Sequence, residues 1–398
     1  MPIISSLLDT DFYKLTMMQA VIHQFPDVTA EYRFQCRTPQ VSFHLIQPDF
    51  EAELQHLCQL SFTEQEIEYL QQTKVFKSDF LGHLRSFHLD LNFIHFHFSR
   101  DELSMQIRGL WWKTILFEVP ILAIINELYF RSLTTTYDLN DVHIHAWHRF
   151  LVKMDRVRQS DPNFGFVDFG TRRRFSNAWQ SRIISYLAHS SDLKLQFLGT
   201  SNVYFAFLNQ IAPIGTMAHE WLQAGQVLSS ELKNCQTLML QRWLQEYGNL
   251  LSIAISDVLG IDAFLADFSM ELAQQYQGVR QDSGDPVIVA RKIIDHYRSL
   301  GIDPRSKTLV FSDGLDFPTA IHLHQLFKKE IRPIFGIGTN LMNDMPGLTP
   351  LQIVIKMTYC NGHPVAKITD SPDKLVSEDA QFLEILRRLI TEKQGGHQ

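Results

Sequence analysis

The residues best placed to do chemistry in this sequence lie in the stretch Gly215-Thr216-Met217-Ala218-His219-Glu220-Trp221. It follows a short apolar run, Gln210-Ile211-Ala212-Pro213-Ile214, and precedes a segment of helical character. A glycine and a threonine just before a helix start leave backbone N–H groups free and turn the positive end of the helix dipole toward whatever lies there. That arrangement suits an anion. His219, in the first turn, carries an imidazole that can reach the same anion. One histidine at a loop–helix junction is ordinarily a packing residue, and the chain has 17 histidines. His219 stands apart because comparable clusters recur along the chain.

Those clusters are Asp168-Phe169-Gly170-Thr171-Arg172-Arg173-Arg174, Gly199-Thr200-Ser201-Asn202, Arg280-Gln281-Asp282-Ser283-Gly284-Asp285-Pro286, Ser312-Asp313-Gly314-Leu315-Asp316 and Gly336-Ile337-Gly338-Thr339-Asn340. Each alone reads as a turn or a solvated helix start. Each also follows an apolar, strand-like run, which would place all of them at the C-terminal ends of parallel strands, the rim where a βα barrel does its chemistry. The glycine loops of the last two strands suit a phosphate. Asp282, Asp285 and Asp313 suit sugar hydroxyls or a hydrated Mg²⁺, with no set of protein metal ligands assigned. Arg172 and Arg280 can clamp a carboxylate with a guanidinium fork, and Phe169 offers a flat face for a ring. The composite ligand is a phosphorylated sugar, a metal-bound polyphosphate and a small anionic aromatic.

The elements that must position these residues fall into two groups. From Phe164 onward, strands are expected at Phe164–Phe169, Leu195–Gly199, Ile211–Gly215, Ser252–Ser256, Gln277–Gln281, Thr308–Ser312 and Pro333–Gly338. Helices are expected between them at 174–192, 202–209, 218–247, 260–276, 286–300 and 317–329. Repeated βα steps predict an α/β fold with an irregular, TIM-like barrel over residues 136–344; an open doubly wound sheet is the alternative. Residues 1–135 read as an N-terminal α/β domain, completed by 345–398. There, residues 9–20 form a capped surface helix, and Glu31–Arg37, Val41–Ile46, Leu91–Phe98 and Leu103–Arg108 are strands. Residues 50–73 and Phe117–Arg131 are helical. His95 and His97 share one solvated strand face. Leu351–Tyr359 and Pro364–Thr369 flank Asn361-Gly362, a hairpin signal that returns the chain to the first domain, and Lys393–Gln398 is expected to fray.

At 398 residues the chain is long enough for two or three domains. A hydrophobic content of 45% and a charged content of 20% are those of a soluble globular protein, and a net charge of −7 excludes a broad nucleic-acid surface. No apolar run reaches the roughly 20 residues that span a bilayer, since the longest, Leu116–Phe130, is broken by Glu118, Pro120, Asn126 and Glu127. The first nine residues carry no basic region and no cleavable signal. The 4 cysteines lack CxxC spacing and read as reduced, mostly buried thiols of a cytoplasmic protein.

The motifs together resemble the nicotinate phosphoribosyltransferase family. They run in family order from Leu8-Asp9-Thr10-Asp11-Phe12-Tyr13-Lys14-Leu15-Thr16, through the Asp168, His219 and Asp282 clusters, to Ser312–Asp316 and Phe335-Gly336-Ile337-Gly338-Thr339. The resemblance implies a cytoplasmic homodimer with shared active sites that makes nicotinate mononucleotide and diphosphate from nicotinate and 5-phosphoribosyl 1-diphosphate. ATP is implied as co-substrate, with Mg²⁺. It implies that His219 is phosphorylated by ATP. Tyr13 would reach in from a partner subunit and stack on the pyridine ring opposite Phe169, and Arg172 and Arg280 would face the substrate. Asp282, Ser283, Asp313, Gly314, Gly336, Gly338, Thr339 and Lys367 would bind the phosphoribosyl diphosphate, with Lys374 also near phosphate. Related nicotinamide enzymes carry an aspartate where this chain has Ser201. A hydroxyl there can donate to a carboxylate, so nicotinate is favoured over nicotinamide. The alternatives are a nicotinamide- or quinolinate-using transferase and a silent binder of phosphoribosyl diphosphate.

Overall fold

The computed structural model describes residues 2–99, 102–133, 139–215, 217–368, 377 and 379–395; Thr216, Thr369, Lys374 and residues 396–398 lie outside them. Two sheets organise the chain. Strands β1 (Thr29–Cys36), β2 (Ile94–Phe98) and β3 (Leu103–Leu110) come from its beginning, β4 (Gly165–Asp168), β5 (Phe197–Thr200), β6 (Ile253–Ile255), β7 (Gly278–Gln281), β8 (Thr308–Phe311) and β9 (Arg332–Ile337) from its middle, and β10 (Ile353–Cys360) and β11 (His363–Pro364) from its end.

The middle strands form a parallel sheet of order β5-β4-β9-β8-β7-β6. Every residue of β4 and β8 is buried, because helices returning between parallel strands cover both faces. The first strand of this set pairs with the last, β4 with β9, an order compatible with a barrel, although no ladder joins β5 to β6 among the described residues. One seam has no ladder among the described residues: the expected strand Ile211–Gly215 is reduced to a single parallel bridge, Thr200 to Pro213. Proline lacks the N–H that a ladder needs.

The second sheet is antiparallel, order β11-β10-β1-β3-β2, and joins both chain ends through β1 and β10, with Arg33 opposite Lys356. The turn to β11 places Asn361 at φ 47 and Gly362 at φ 73, the left-handed pair that a tight hairpin demands. His95 faces Gln106 and His97 faces Ser104 across β2 and β3, a polar and largely solvated face.

Several boundaries differ from expectation for local reasons. Val41–Ile46 is not a strand; Phe43–Ile46 is a 3-10 turn leading into helix Gln47–Leu57, which carries a proline in its first turn. The helix over 50–73 divides, and Thr63 restarts it with a capping box to Glu66. The helix over 218–247 divides into His219–Leu228 and Cys235–Tyr247. That over 260–276 divides at Ser269, whose hydroxyl caps the second half. Helices Ser78–Leu84, Leu139–Gln159 and Ala380–Gly395 were not foreseen, and the last includes Lys393, which pairs with Asp267. Cys235 and Cys360 are buried, but Cys36 and Cys58 are only partly so. The N-terminal helix, Phe12–Gln24, is no surface helix: Phe12 through Val21 are all buried, and Asp11 makes no side-chain cap.

Asp9 and Arg174 anchor that N-terminal segment to the parallel sheet. Both have 0% side-chain exposure, and the guanidinium grips the carboxylate with two bonds of 2.7 and 2.8 Å. Asn202 and Asn177 donate to the same carboxylate at 2.7 and 3.0 Å, so one side chain ties together the loops after β4 and β5. Beneath it, Asp168 accepts from Gly170 N–H, Gln180 and Thr200, while burial raises its carboxyl to about 6. Asp9→Ala leaves Arg174 charged, buried and without its carboxylate. The expected loss of stability is about 3–5 kcal/mol, measured by urea unfolding.

Candidate active site

A cavity of about 570 Å³ lies where the C-terminal ends of the parallel strands face the antiparallel sheet. Phe169, Arg172 and Arg173 enter after β4, Arg280 and Asp282 from β7, Ser312, Asp313 and Gly314 from β8, and Gly338 and Thr339 from β9. Helix His219–Leu228 brings His219, the N-terminal helix brings Tyr13, and Arg37, Lys356 and Lys367 come from the antiparallel side. Of the residues singled out in the sequence, the cavity thus gathers His219, Tyr13, Phe169, Arg172, Arg280, Asp282, Asp313, Gly314, Gly338, Thr339 and Lys367. The chain's own Tyr13 lines the cavity, as does Phe169.

Four singled-out residues do not line it. The Ser201 hydroxyl is buried and donates to Asp11 at 2.7 Å, which replaces the expected bond to a substrate carboxylate. Ser283 is 1% exposed and lies beneath the loop. Asp285 caps helix Pro286–Ser299, accepting from Val287 and Ile288 N–H at 2.9 Å each. Gly336 acts by its size: a Cβ there would come within 2.2 Å of the Phe169 ring, so the glycine lets the ring lie flat against β9 without touching ligand space itself. Gly314, at φ +59, has open space around it and turns the loop after β8 toward the cavity.

His219 is held on one edge. Its Nε2 lies 2.7 Å from Asp257 Oδ1 and 2.8 Å from Lys367 Nζ, and Lys367 Nζ lies 2.7 Å from Asp257 Oδ2. An ammonium has no lone pair to offer, and a bare Nε2 would face a carboxylate oxygen at hydrogen-bond distance. Nε2–H donating to Asp257 Oδ1, with the Lys367 ammonium paired to Oδ2, settles the contact with the carboxylate and leaves the lysine and the ring N–H as two donors held together by the aspartate between them. The lone pair then sits on Nδ1. Burial, reinforced by Lys367, lowers the His219 pKa to about 4 despite Asp257 and Asp282, so the ring is neutral and nucleophilic near neutral pH.

Arg280 donates to Ser312 at 2.8 Å and to Asp282 at 3.1 Å, and its guanidinium carbon lies 5.5 Å from the Phe169 ring centroid. Burial works to raise the Asp282 carboxyl, but the cations around it, Arg280 foremost and then Lys367, prevail and hold it well below the usual range. Arg173 is lowered to about 10 by burial beside Arg172 and Arg37. Lys356 is lowered to about 8 by burial, against the pull of Glu118. The cavity therefore sets cations next to Asp282, Asp313 and Asp344, which suits a polyanion whose sugar carries hydroxyls.

Asp257, Arg37, Arg173, Lys356 and Glu118 escaped the sequence reading as site residues. Asp257 ends the strand before it as the other rim aspartates do, and that position was a usable signal. Arg37 and Lys356 reach the cavity only through the pairing of β1 with β10, which no local pattern reveals. A hard divalent cation fits the donor set: His219, Asp257 and Asp282 bring ligand atoms within 4.8 Å of one another. Lys367 already pairs with Asp257 and Arg280 with Asp282, so an ion shared with phosphate oxygens would have to draw these carboxylates from their cations.

A parallel sheet whose strand ends gather arginines, aspartates, glycine loops and an aromatic ring at one cavity has the character of an enzyme site for phosphorylated ligands. The chain belongs to the nicotinate phosphoribosyltransferase family: residues 8–126 match the N-terminal domain of that family and residues 164–393 its main part. It is 46% identical to the nicotinate phosphoribosyltransferases of Burkholderia mallei, over 98% of this chain and 97% of the relative, and of Cupriavidus necator, over 98% of each. Among solved structures it is similar to the Vibrio cholerae nicotinate phosphoribosyltransferase, with TM-score 0.92, 39% identity and coverage of 98% and 94% of the two chains. The Porphyromonas gingivalis enzyme gives TM-score 0.88 and 31% identity over 97% of this chain and 100% of that one.

Two outcomes are expected. In NMR titration of ring-labelled histidine, His219 has a midpoint near pH 4, and Lys367→Met moves it upward toward the ordinary 6.5 because the lysine's repulsion of the imidazolium is gone. Ser201→Asp sets a second buried carboxylate against Asp11, and a lowered Tm is its first effect, before any change of ring preference.

Proposed function

We propose that the protein transfers the phosphoribosyl group of 5-phosphoribosyl 1-diphosphate to the ring nitrogen of nicotinate, with ATP hydrolysed through a phosphohistidine at His219. Family membership and the identity of its relatives support the transfer. The observation that carries the ATP half is a neutral imidazole, held by Asp257 at Nε2, in the same cavity as the phosphate loops.

In this reading Phe169 and Tyr13 sandwich the pyridine ring, and Arg280 and Arg172 meet its carboxylate. Gly314, Gly338 and Thr339 hold the 5-phosphate through backbone N–H groups. Asp282 and Asp313 take the ribose hydroxyls, and Arg37, Arg173 and Lys356 receive the diphosphate. The bond from C1 to the diphosphate oxygen breaks with its electron pair leaving on oxygen, and the nitrogen lone pair forms the new bond to C1. No proton moves, so no base is needed; alignment and charge neutralisation suffice. Asp282 and Asp313 would hold Mg²⁺ together with the substrate's phosphates, and the ion would supply further neutralisation of the leaving group.

ATP has no part in that bond exchange. His219 Nδ1 attacks the γ-phosphorus and ADP departs; water later removes the phosphoryl group as inorganic phosphate. A phosphohistidine adds about −1.5 to −2 charge beside Lys367, and drives the reaction only by altering the cavity's affinity for substrate and product.

The test is diphosphate release from nicotinate and from nicotinamide, each with and without ATP. Nicotinate is the expected substrate, and ATP is expected to lower its KM by at least about tenfold, the effect of about 1.4 kcal/mol. His219→Asn keeps the fold and loses that stimulation. Full stimulation in the variant would remove His219 from the role.

A further inference from the structure

Lys14 is a lysine with 0% side-chain exposure on the N-terminal helix. Its Nζ lies 2.6 Å from Glu118 and 2.7 Å from Glu220. Two buried carboxylates thus share one ammonium. Each carboxylate belongs to a different part of the site. Glu220 follows His219 in the first turn of helix His219–Leu228. Glu118 opens helix Glu118–Ser132, and its other oxygen lies 3.4 Å from Arg172 and 3.9 Å from Lys356. Lys14 itself follows Tyr13, with its ammonium 5.8 Å from that ring's centroid.

Backbone contacts reinforce the link. Ala218 N–H donates to Met17 Sδ at 3.4 Å, so the start of the His219 helix rests on the N-terminal helix. Gly215 lies so close to Tyr13 that an added Cβ would sit 3.2 Å from its backbone nitrogen. The imidazole and the aromatic wall of the ring pocket therefore share one support.

Apolar side chains at all three positions would fill the same space without the cost of desolvating three charges, and buried ion pairs are poor sources of stability for that reason. A charge at this position has another use. It fixes two carboxylates in one geometry, and any displacement of Glu220 is felt by Glu118, hence by Arg172.

We propose that Lys14 is a positioning residue that couples the two halves of the site, the His219 helix through Glu220 and the ring-carboxylate clamp through Glu118 and Arg172. Addition of a phosphoryl group to His219 is then transmitted to the nicotinate pocket through this ammonium, with no contact between the two ligands. The coupling rests on the function proposed above, but its test separates the two.

The experiment compares wild type with Lys14→Met, Glu118→Gln and Glu220→Gln in the full chain. Three readouts are nicotinate KM with and without ATP, the rate of phosphohistidine formation from radiolabelled ATP, and Tm. Lys14→Met is expected to raise nicotinate KM by about tenfold, to slow phosphohistidine formation, and to abolish the ATP effect on KM. Glu118→Gln is expected to act more on KM than on phosphorylation, and Glu220→Gln the reverse. If Lys14→Met does not fold, the opposite bias of the two glutamine variants carries the test. A fall in Tm with KM and phosphorylation both within twofold of wild type, or glutamine variants with the same bias, would overturn the coupling. Failure of the underlying reading looks different: wild type itself would form no phosphohistidine, or would not use nicotinate.

Discussion

A carboxylate with no exposed surface, Asp9, sits at the point where the chain's beginning meets the rim of the parallel sheet. Its grip on Arg174 is bidentate, and Asn177 and Asn202 fill its remaining lone pairs. Such a group is stable only when every partner is present. The requirement fixes the loops after β4 and β5 relative to the N-terminal helix. From those loops come Phe169, Arg172 and Arg173, and from the helix Tyr13 and Lys14. The aspartate touches no ligand, yet the cavity walls inherit their spacing from it.

Charge of both signs is arranged above that foundation in layers. Fully paired ions lie deepest: Asp9 with Arg174, and Lys14 with its two glutamates. Nearer the cavity the pairs are shared, as Asp257 divides its oxygens between His219 and Lys367. At the cavity wall, Arg173 and Lys356 are held below their ordinary pKa by burial among like charges. An anion beside these groups would favour their charged forms, against the burial that disfavours them.

Much of the parallel sheet was legible because its strands are continuous apolar runs ending in glycine, aspartate or arginine. The rim residues of β4, β7, β8 and β9 followed directly. Pro213 misled, since a run can be apolar and still lack the N–H a ladder needs. Lys14 misled more deeply. A lysine in the first turn of a helix is solvated by default, and only the approach of Glu118 and Glu220 from far along the chain buries it. Ser201 was placed at the correct strand end but assigned the wrong partner, because Asp11 reaches it through a long-range contact. Arg37 and Lys356 were invisible for the same reason: the information that joins them is the register of β1 against β10.

That register has a consequence for biosynthesis. While a ribosome is making this chain, β1 emerges early and can pair with β3 along one edge, but its other edge waits for residues 353–360. An unpaired strand edge is a template for misassociation. Until those residues are made the nascent protein carries an open seam, and the cleft has neither Lys356 nor Lys367. Completion of the cleft thus waits on residues 353–367, and a chain without them would keep that strand edge open and lack both lysines.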